Sequence, residues 1–213
     1  MKRINSGTVK IVESFGSEAL IFRNYSMLGM GEFKPKPEDI NTICTDHSYL
    51  LREIKFKFEI KMPFLLQEKL QRSNLGSVEA FGIIDVDLNE AYIPPYFYCA
   101  SDFEGFFQLT PEACNTLNTK FMGFYRNAIN FYHKLLESGL CHEQAQLVLP
   151  TGLFTTFYWN INAEDLLKFI DQYYYNSPEM CGYCEVFMVY LEERLPLLSK
   201  WYRANKWKNF NKI

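Results

Sequence analysis

The most regular pattern of polar and apolar residues lies between Glu53 and Lys61. Four apolar residues alternate there with lysine and glutamate: Ile54, Phe56, Phe58 and Ile60. A period of two over about eight residues is typical of a strand with one buried face. Pro63 ends the pattern, because proline has no amide hydrogen to donate and restricts the residue before it. The pattern predicts a strand from Glu53 to Lys61.

A helical period follows this strand. Leucine and phenylalanine recur at a spacing that places them on one side of a helix from Phe64 to Leu70. The next segment, residues 71–82, is polar and contains glycine, so it predicts a loop. This loop carries Arg72, Ser77 and Glu79. A strand, a helix and a loop in this order would present ligand-binding groups at the edge of a sheet.

The longest predicted helix begins after Thr110. Threonine at the N-cap, Pro111 at the first helical position and an acid in the first turn all favour a helix start there. Gly139 is the expected C-cap. Strands are also predicted at residues 8–13 and 154–162, with a brief one near residue 85. The other predicted helices are 17–22, 143–149, 163–175 and 178–204, the last with a kink at Pro196.

These elements add up to an α+β fold, in which several helices pack on a central antiparallel or mixed sheet. Residues 29–36 predict a loop next to prolines, and residues 45–49 predict a helix N-cap before the main strand. We expect a single domain, residues 1–213, whose tail from residue 206 is frayed.

Composition narrows the class of protein. The chain has 213 residues, of which 48% are hydrophobic and 17% aromatic, so it should be ordered. The net charge of −3 gives no basic field that would attract nucleic acid. No apolar run reaches about 18 residues, so no membrane span is expected. The N-terminus has no apolar signal core, and six cysteines in such a chain predict reduced thiols and a cytoplasmic location.

Two blocks of the sequence resemble the signature regions of the flavin-dependent thymidylate synthases (ThyX). The first block contains His47, the strand that ends in Met-Pro63, Arg72 and Ser77. It is similar to the family's His, its strand ending in Ala-Pro, and its motif Arg-His-Arg-x-x-Ser-x-x-x-x-Ser-x-Arg. The second block, EQAQLVLP at 143–150 and FYWNINA at 157–163, resembles EQARxVLP and FxWxxNA. The resemblance covers roughly residues 45–195.

The resemblance implies a ThyX-like fold and a specific chemistry. In that family, reduced flavin receives a folate-borne carbon and passes it to C5 of dUMP, at sites between the subunits of a homotetramer. It therefore implies a pyrimidine nucleotide as partner and FAD as cofactor, with reduced folate and NADPH if the family chemistry survives. No catalytic residue and no metal ligand is carried over. The matching positions are Arg72, Ser77, Glu79, Gly82 and Tyr173 for the nucleotide and His47 and Asn162 for flavin.

Each of these residues also has an ordinary structural reading. Arg72 could be a surface arginine, Ser77 a helix cap, His47 a capping or core histidine, and Asn162 the N-cap of the helix that follows it. Glu79 and Gly82 reach the family's Glu and Gly only with a one-residue deletion. Single polar residues are weak signals of function, so these alternatives remain open at this point.

Several charged positions of the family are replaced in this chain. Ser73 and Ser177 stand where the family has histidines, the second of which lies beside flavin. Asn74 and Gln146 stand where the family has arginines, and Tyr173 where it has an arginine against the pyrimidine ring. One charge-assisted contact is worth about 1.5–3 kcal/mol, so several losses should abolish tight dUMP binding in the family's mode. We therefore expect weak or absent FAD binding, no ordinary dUMP methylation and a more aromatic pocket. Two hypotheses remain: an enzyme acting at C5 of a pyrimidine nucleotide with an altered substrate or outcome, and a non-catalytic binding or regulatory protein.

Two further features concern cysteines and assembly. Cys181 and Cys184 form a CxxC, which is read either as a redox pair or as neighbours on a buried helix face. A zinc site that joins this pair to Cys44 and His47 is a third reading. The predicted strand and helices carry more aromatic surface than one 25 kDa core needs. A closed homo-oligomer, most simply a tetramer, is therefore expected.

Overall fold

An antiparallel sheet forms the centre of the computed structural model, which describes residues 2–4, 7–29, 36–80, 87–94, 97–101 and 105–206. Its strand order is β1-β2-β3-β8-β4, and β5 also pairs with β8. Strands β6 and β7 form a separate two-stranded ribbon. The strands are β1 (Lys2–Ile4), β2 (Gly7–Phe15), β3 (Lys55–Pro63), β4 (Ser77–Ala80), β5 (Asp87–Ala91), β6 (Tyr98–Ser101), β7 (Gly105–Gln108) and β8 (Leu153–Asn162).

Helices pack on this sheet, which confirms the α+β class. Two short 3₁₀ helices, Ser48–Glu53 and Gln146–Val148, complete the described elements. The α-helices are α1 (Glu18–Met27), α2 (Pro37–Asp46), α3 (Phe64–Arg72), α4 (Pro111–Glu137), α5 (His142–Ala145), α6 (Ala163–Tyr173), α7 (Pro178–Arg194) and α8 (Pro196–Asn205). Among the described residues, no helix is long and apolar enough to cross a membrane.

The alternation in β3 divides the sheet into a core face and an open face. The apolar residues of β3 are buried against the helices, with the ring centroid of Phe58 5.2 Å from that of Phe187 on α7. Trp159 of β8 joins them, 4.9 Å from Phe169 of α6. Aromatic rings at this spacing in tilted arrangements stabilise a core beyond the area they bury. The lysines and glutamates of β3 consequently lie on the other face.

Two sequence predictions need correction, and two others fall on residues outside the described ranges: most of the loop at 29–36 and the brief strand near residue 85. Helix α2, which the sequence did not predict, begins at Pro37, and a 3.0 Å hydrogen bond from the Lys36 amide to Asp39 closes its first turn. The predicted N-cap near residue 47 is present in position, because His47 is the C-cap of α2 and also the N-cap of the 3₁₀ helix Ser48–Glu53, although its side chain makes no capping hydrogen bond. The predicted loop at 71–82 contains β4. The kink at Pro196 is a full break between α7 and α8 at Leu195.

The long helix α4 agrees with its prediction and has two different faces. The side chain of Thr110 accepts a hydrogen bond from the Ala113 amide, and Gly139 takes a φ of +90° after the helix. Cys114, Tyr125 and Tyr132 are buried against the rest of the chain. The outward face carries exposed aromatic side chains: Phe121 (37%), Phe124 (59%) and Phe131 (51%).

Candidate functional site

The open face of the sheet brings together two of the predicted nucleotide residues. Strand register places Ser77 opposite Asn160, and Asn160 opposite Lys57, so these three residues share one row across the sheet. The next row contains Glu79, which lies opposite Tyr158. Successive residues of a strand point to opposite faces, so residues 77 and 79 point to the same face. Gly82 lies outside the described residues.

Glu79 is already paired within the chain. Its carboxylate accepts hydrogen bonds from the Lys57 ammonium at 3.1 Å and from the Asn160 amide at 2.7 Å. The hydrogen bond from Lys57, followed by that from Asn160, lowers the pKa of Glu79. Glu79 is therefore ionised, and both of its carboxylate oxygens already accept hydrogen bonds within this chain.

Gly76 fixes where this row begins. Its φ is +69°, a left-handed conformation that glycine adopts without a steric cost. A Cβ at this position would overlap the backbone oxygen of Asn160 and lie 2.9 Å from the indole nitrogen of Trp159. The same indole donates a 3.0 Å hydrogen bond to the Leu75 carbonyl. Backbone contacts at Gly76 therefore hold the turn against β8 and start β4 at Ser77.

Asn162, a predicted flavin residue, lies at the end of β8 and caps α6. Its side-chain oxygen accepts a 2.9 Å hydrogen bond from the Asp165 amide, and its side-chain nitrogen donates to the Asp165 carboxylate at 2.8 Å. The structure therefore confirms the N-cap reading of Asn162. His47, the other predicted flavin residue, has its ring centroid 5.8 Å from Tyr25 and 5.9 Å from Tyr49.

A buried carboxylate connects the regions of His47 and Asn162. Glu164, in the first turn of α6, is 6% exposed. It accepts hydrogen bonds from Ser48 at 3.0 Å and from Arg52, both in the 3₁₀ helix that follows His47. It also forms a 3.0 Å ion pair with Lys168. Burial alone would raise the pKa of Glu164, but these three donors outweigh it and lower the pKa from 4.5 to about 2.

Replacing Glu164 should give a pH-dependent loss of stability. Because the folded pKa lies below the unfolded value, the stabilisation is present above pH 4.5 and disappears as the pH falls towards about 2. At neutral pH, Glu164→Gln should lower the free energy of unfolding by about 2 kcal/mol, since its cationic partners are half-exposed and screened. Urea unfolding as a function of pH measures this difference. Glu137→Gln is the control, and a difference that stayed constant through this pH range would contradict the assignment.

The remaining predicted nucleotide residues lie on helices. Tyr173 ends α6 on the core side of the sheet, where its hydroxyl donates a 2.9 Å hydrogen bond to the Lys69 carbonyl of α3. Arg72 ends α3, is 75% exposed and forms a 3.0 Å ion pair with Glu68. The predicted nucleotide residues are thus divided between the open face and the helix-covered side of the chain.

Lys69 is a cation that the sequence analysis missed. Its ammonium donates a hydrogen bond to Ser177 at 3.2 Å and lies 3.9 Å from the carboxylate of Glu179. Both partners belong to the start of α7, more than a hundred residues later in the chain. Tyr173, a predicted site position, donates its hydroxyl hydrogen bond to the backbone carbonyl of the same residue. No local sequence pattern around Lys69 could have indicated these contacts.

The residues on the open face are a poor fit for FAD. A depression of 470 Å³ is lined there by Lys55, Lys57 and Asn160, next to Phe15 and Glu13. The pyrophosphate of FAD requires cations, but of the two lysines that line the depression Lys57 is already paired with Glu79, and the negative charge of Glu13 offsets that of Lys55. Asn162, one row further, is used in capping α6.

The structure also bears on the redox, buried-face and zinc readings of Cys181 and Cys184. Cys184 is fully buried on α7 together with Phe187 and Met188, and burial raises the pKa of both Cys181 and Cys184. High thiol pKa values oppose redox reactivity, so the buried-face reading is the better one. Among the described residues, which include Cys44, His47, Cys181 and Cys184, no group of three His, Cys, Asp or Glu side chains is placed to hold a metal ion.

Comparison with known proteins identifies relatives of this chain. A sequence model of the family described as thymidylate synthase complementing protein (Thy1) matches residues 36–196. The flavin-dependent thymidylate synthase of Kosmotoga olearia is 30% identical over 184 residues, which cover 80% of this chain and 78% of the relative. That of Thermotoga neapolitana is 27% identical over 177 residues, covering 79% and 76%. The UMP/dUMP methylase PolB from Streptomyces cacaoi, solved with 5-Br UMP, has a similar fold: the TM-score is 0.79 at 17% identity, over 93% of this chain and 94% of PolB.

Proposed function

Because the chain belongs to the thymidylate synthase complementing protein family, we propose that it transfers a one-carbon group to C5 of a pyrimidine nucleotide. The family match over residues 36–196 carries this proposal. Its relatives are named flavin-dependent thymidylate synthase and UMP/dUMP methylase, and both names describe enzymes that act on pyrimidine nucleotides. The proposal includes a single domain over residues 1–213 and a cytoplasmic location.

The nucleotide site is proposed to lie between copies of this chain. Ser77 and Glu79 occupy the open face of the sheet, whereas Arg72 and Tyr173 occupy helix ends. A second copy that covers the open face would bring a helix end of one chain to the sheet of the other. Arg72 then supplies the main positive charge for a nucleotide phosphate, since its half-exposed partner Glu68 can be displaced.

The reaction is proposed to differ from ordinary dUMP methylation. Gln146 and Tyr173 stand where the family has nucleotide arginines, and a hydroxyl or an amide does not replace a bidentate guanidinium. An altered nucleotide, or an altered one-carbon product, is compatible with a site that has fewer cations and more aromatic rings. Reduced folate and NADPH belong to the proposal only for the family chemistry.

A non-catalytic role is the second candidate, and a specific observation favours it. Three predicted site residues have their polar groups occupied within the chain: Glu79 by Lys57, Asn162 by Asp165 and Arg72 by Glu68. A protein that keeps the fold but binds nucleotide without chemistry would show this pattern. The two candidates differ in turnover, and not in binding.

Nucleotide binding tests both candidates at once. At least one of UMP, dUMP, CMP and dCMP should bind in calorimetry, and Arg72→Ala should weaken that binding about tenfold or more through the lost charge-assisted contact. Arg203→Ala, which removes a surface arginine with an ion pair to Glu192, is the matched control. If Arg72→Ala bound the same nucleotide as tightly as wild type, the placement of Arg72 in the site would be wrong.

Turnover then separates the candidates. The protein should form no dTMP from dUMP with methylene-folate, NADPH and added FAD, because Gln146 and Tyr173 cannot replace the family's arginines. Mass spectrometry of each nucleotide that binds should instead show a product with a one-carbon group at C5. Binding without any product would favour the non-catalytic candidate. Rescue of a thymidine-requiring strain would show that ordinary dUMP methylation survives.

A further inference from the structure

A pocket of 340 Å³ lies between α3, α4 and α7, outside the open face of the sheet. Its volume falls in the range of small-molecule sites. Leu65 lines one side, and the rings of Phe97 and Phe121, stacked 5.4 Å apart at 28°, line another. Tyr125 completes this wall, and its hydroxyl donates a 3.0 Å hydrogen bond to the Tyr92 carbonyl. Walls of this kind suit a planar ring, which can stack on them.

Two opposite charges stand at the edge of this pocket. Lys69 and Glu179 both line it, and their nearest charged atoms are 3.9 Å apart, beyond hydrogen-bond distance. The Lys69 side chain is 39% exposed and that of Glu179 is 30% exposed. Among the described residues, the ammonium gives one hydrogen bond, to Ser177, and therefore keeps two N–H donors for a ligand.

The charge balance of the pocket indicates which part of a ligand it takes. One ammonium and one carboxylate cancel, so the pocket has no surplus positive charge for a phosphate dianion. A donor beside an acceptor instead matches an uncharged ring whose edge carries adjacent C=O and N–H groups. The imide edge of uracil has this pattern, and a pterin ring shares it.

We propose that Lys69 and Glu179 form hydrogen bonds with the polar edge of an uncharged planar ring that stacks in the pocket between α3, α4 and α7. This ring is the base of the pyrimidine nucleotide. The inference rests on the proposed function, since it assumes that a pyrimidine nucleotide binds. It assigns the base to Lys69 and Glu179 and leaves the phosphate to Arg72. It also accounts for Tyr173, whose hydrogen bond to the Lys69 carbonyl holds the helix that carries the ammonium.

Comparison of UMP with uridine, which lacks the phosphate, tests the assignment. Lys69→Met should weaken UMP and uridine by the same factor, about tenfold or more, because the contact to the base is common to both. Glu179→Gln should change the ratio of UMP to CMP affinity, since an amide can donate as well as accept. Arg72→Ala should weaken UMP and leave uridine unchanged. Calorimetry measures the binding of the nucleotides, and ligand-observed NMR measures the binding of uridine. Folate, which contains a pterin ring, is added as a competitor to test whether the pocket binds a pterin instead. Thermal melting of each variant verifies folding.

Each outcome decides the question. If Lys69→Met weakens UMP but not uridine, Lys69 binds phosphate and the inference is wrong. If folded variants at 69 and 179 bind both ligands as wild type does, the pair only braces α3 against α7 and the inference is wrong. If folate displaces uridine from wild type but no variant alters the UMP to CMP ratio, the pocket belongs to a pterin and the assignment to the base fails. If wild type binds no pyrimidine nucleotide, the proposed function itself fails. Equal factors for UMP and uridine, with a changed base preference in Glu179→Gln, would support it.

Discussion

Purified protein should carry little or no flavin, and added FAD should bind far more weakly than a resident cofactor does. Ser73, Asn74 and Gln146 stand where the family has a histidine and two arginines. Three lost charge-assisted contacts, at about 1.5–3 kcal/mol each, lower affinity by about a thousandfold or more. On the open face, Lys57 is paired with Glu79 and Lys61 with Glu90, so these two lysines do not compensate. Visible absorbance of the purified protein and a fluorescence titration with FAD measure the effect.

A restored arginine should reverse part of this loss. Gln146→Arg returns a guanidinium to the second signature block and should tighten FAD or nucleotide binding about tenfold. Gln144→Arg is the matched control, since Gln144 lies two residues earlier and is exposed. Asn74 is a poorer choice, because its φ of 55° would strain an arginine. A wild-type protein with a stoichiometric yellow chromophore would contradict the prediction.

Removal of two phenylalanines from α4 should convert the protein from an oligomer to a monomer. Apolar residues recur along one side of this helix at intervals of four and three: Leu117, Phe121, Phe124, Ala128, Phe131 and Leu135. Three of them, Leu117, Ala128 and Leu135, are half-buried within the chain. This spacing is that of a helix seam that packs against another helix. Phe124 and Phe131 are 59% and 51% exposed in the single chain. In a symmetric contact, each of the two copies would bury its own Phe124 and Phe131. The substitutions Phe124→Ser/Phe131→Ser should therefore have a large effect on the assembly.

Light scattering at micromolar concentration measures the assembly. The double variant should scatter as a 25 kDa chain, and wild type as a closed oligomer, most simply a tetramer. Asn127→Ser/Lys134→Ser changes two exposed polar residues of the same helix and should leave the assembly intact. Circular dichroism measures whether the double variant keeps the helix content of wild type. A wild-type monomer would refute the homo-oligomer, and an unchanged double variant would refute the role of α4.

Local patterns predicted the elements that are built from local signals. The alternation in β3 is clear because one face of the strand packs on helices and the other does not. The start of α4 was predicted because Thr110 and Pro111 satisfy the first turn of that helix without help from elsewhere. Helix α2 was missed because proline was read as a loop residue, whereas Pro37 occupies the first helical turn, where its missing amide is harmless.

The site was only partly predictable, because its contacts join distant parts of the chain. The N-cap role of Asn162 involves Asp165, three residues away, and could be foreseen. The pairing of Glu79 with Lys57 and the approach of Lys69 to α7 depend on strand register and helix packing. The resemblance to the family gave positions for these residues, but it could not give their partners in this chain.

The turn at Gly76 has a consequence for how this sequence can diverge. Glycine at that position and the backbone of β8 set the course of β4, and the side chains at positions 77 and 79 project from this frame without building it. Substitutions at those two positions therefore cost little folding free energy, whereas a substitution at 76 disrupts the frame. Substitutions at positions 77 and 79 can therefore change the chemical groups on the surface of β4 while the fold of the chain stays the same.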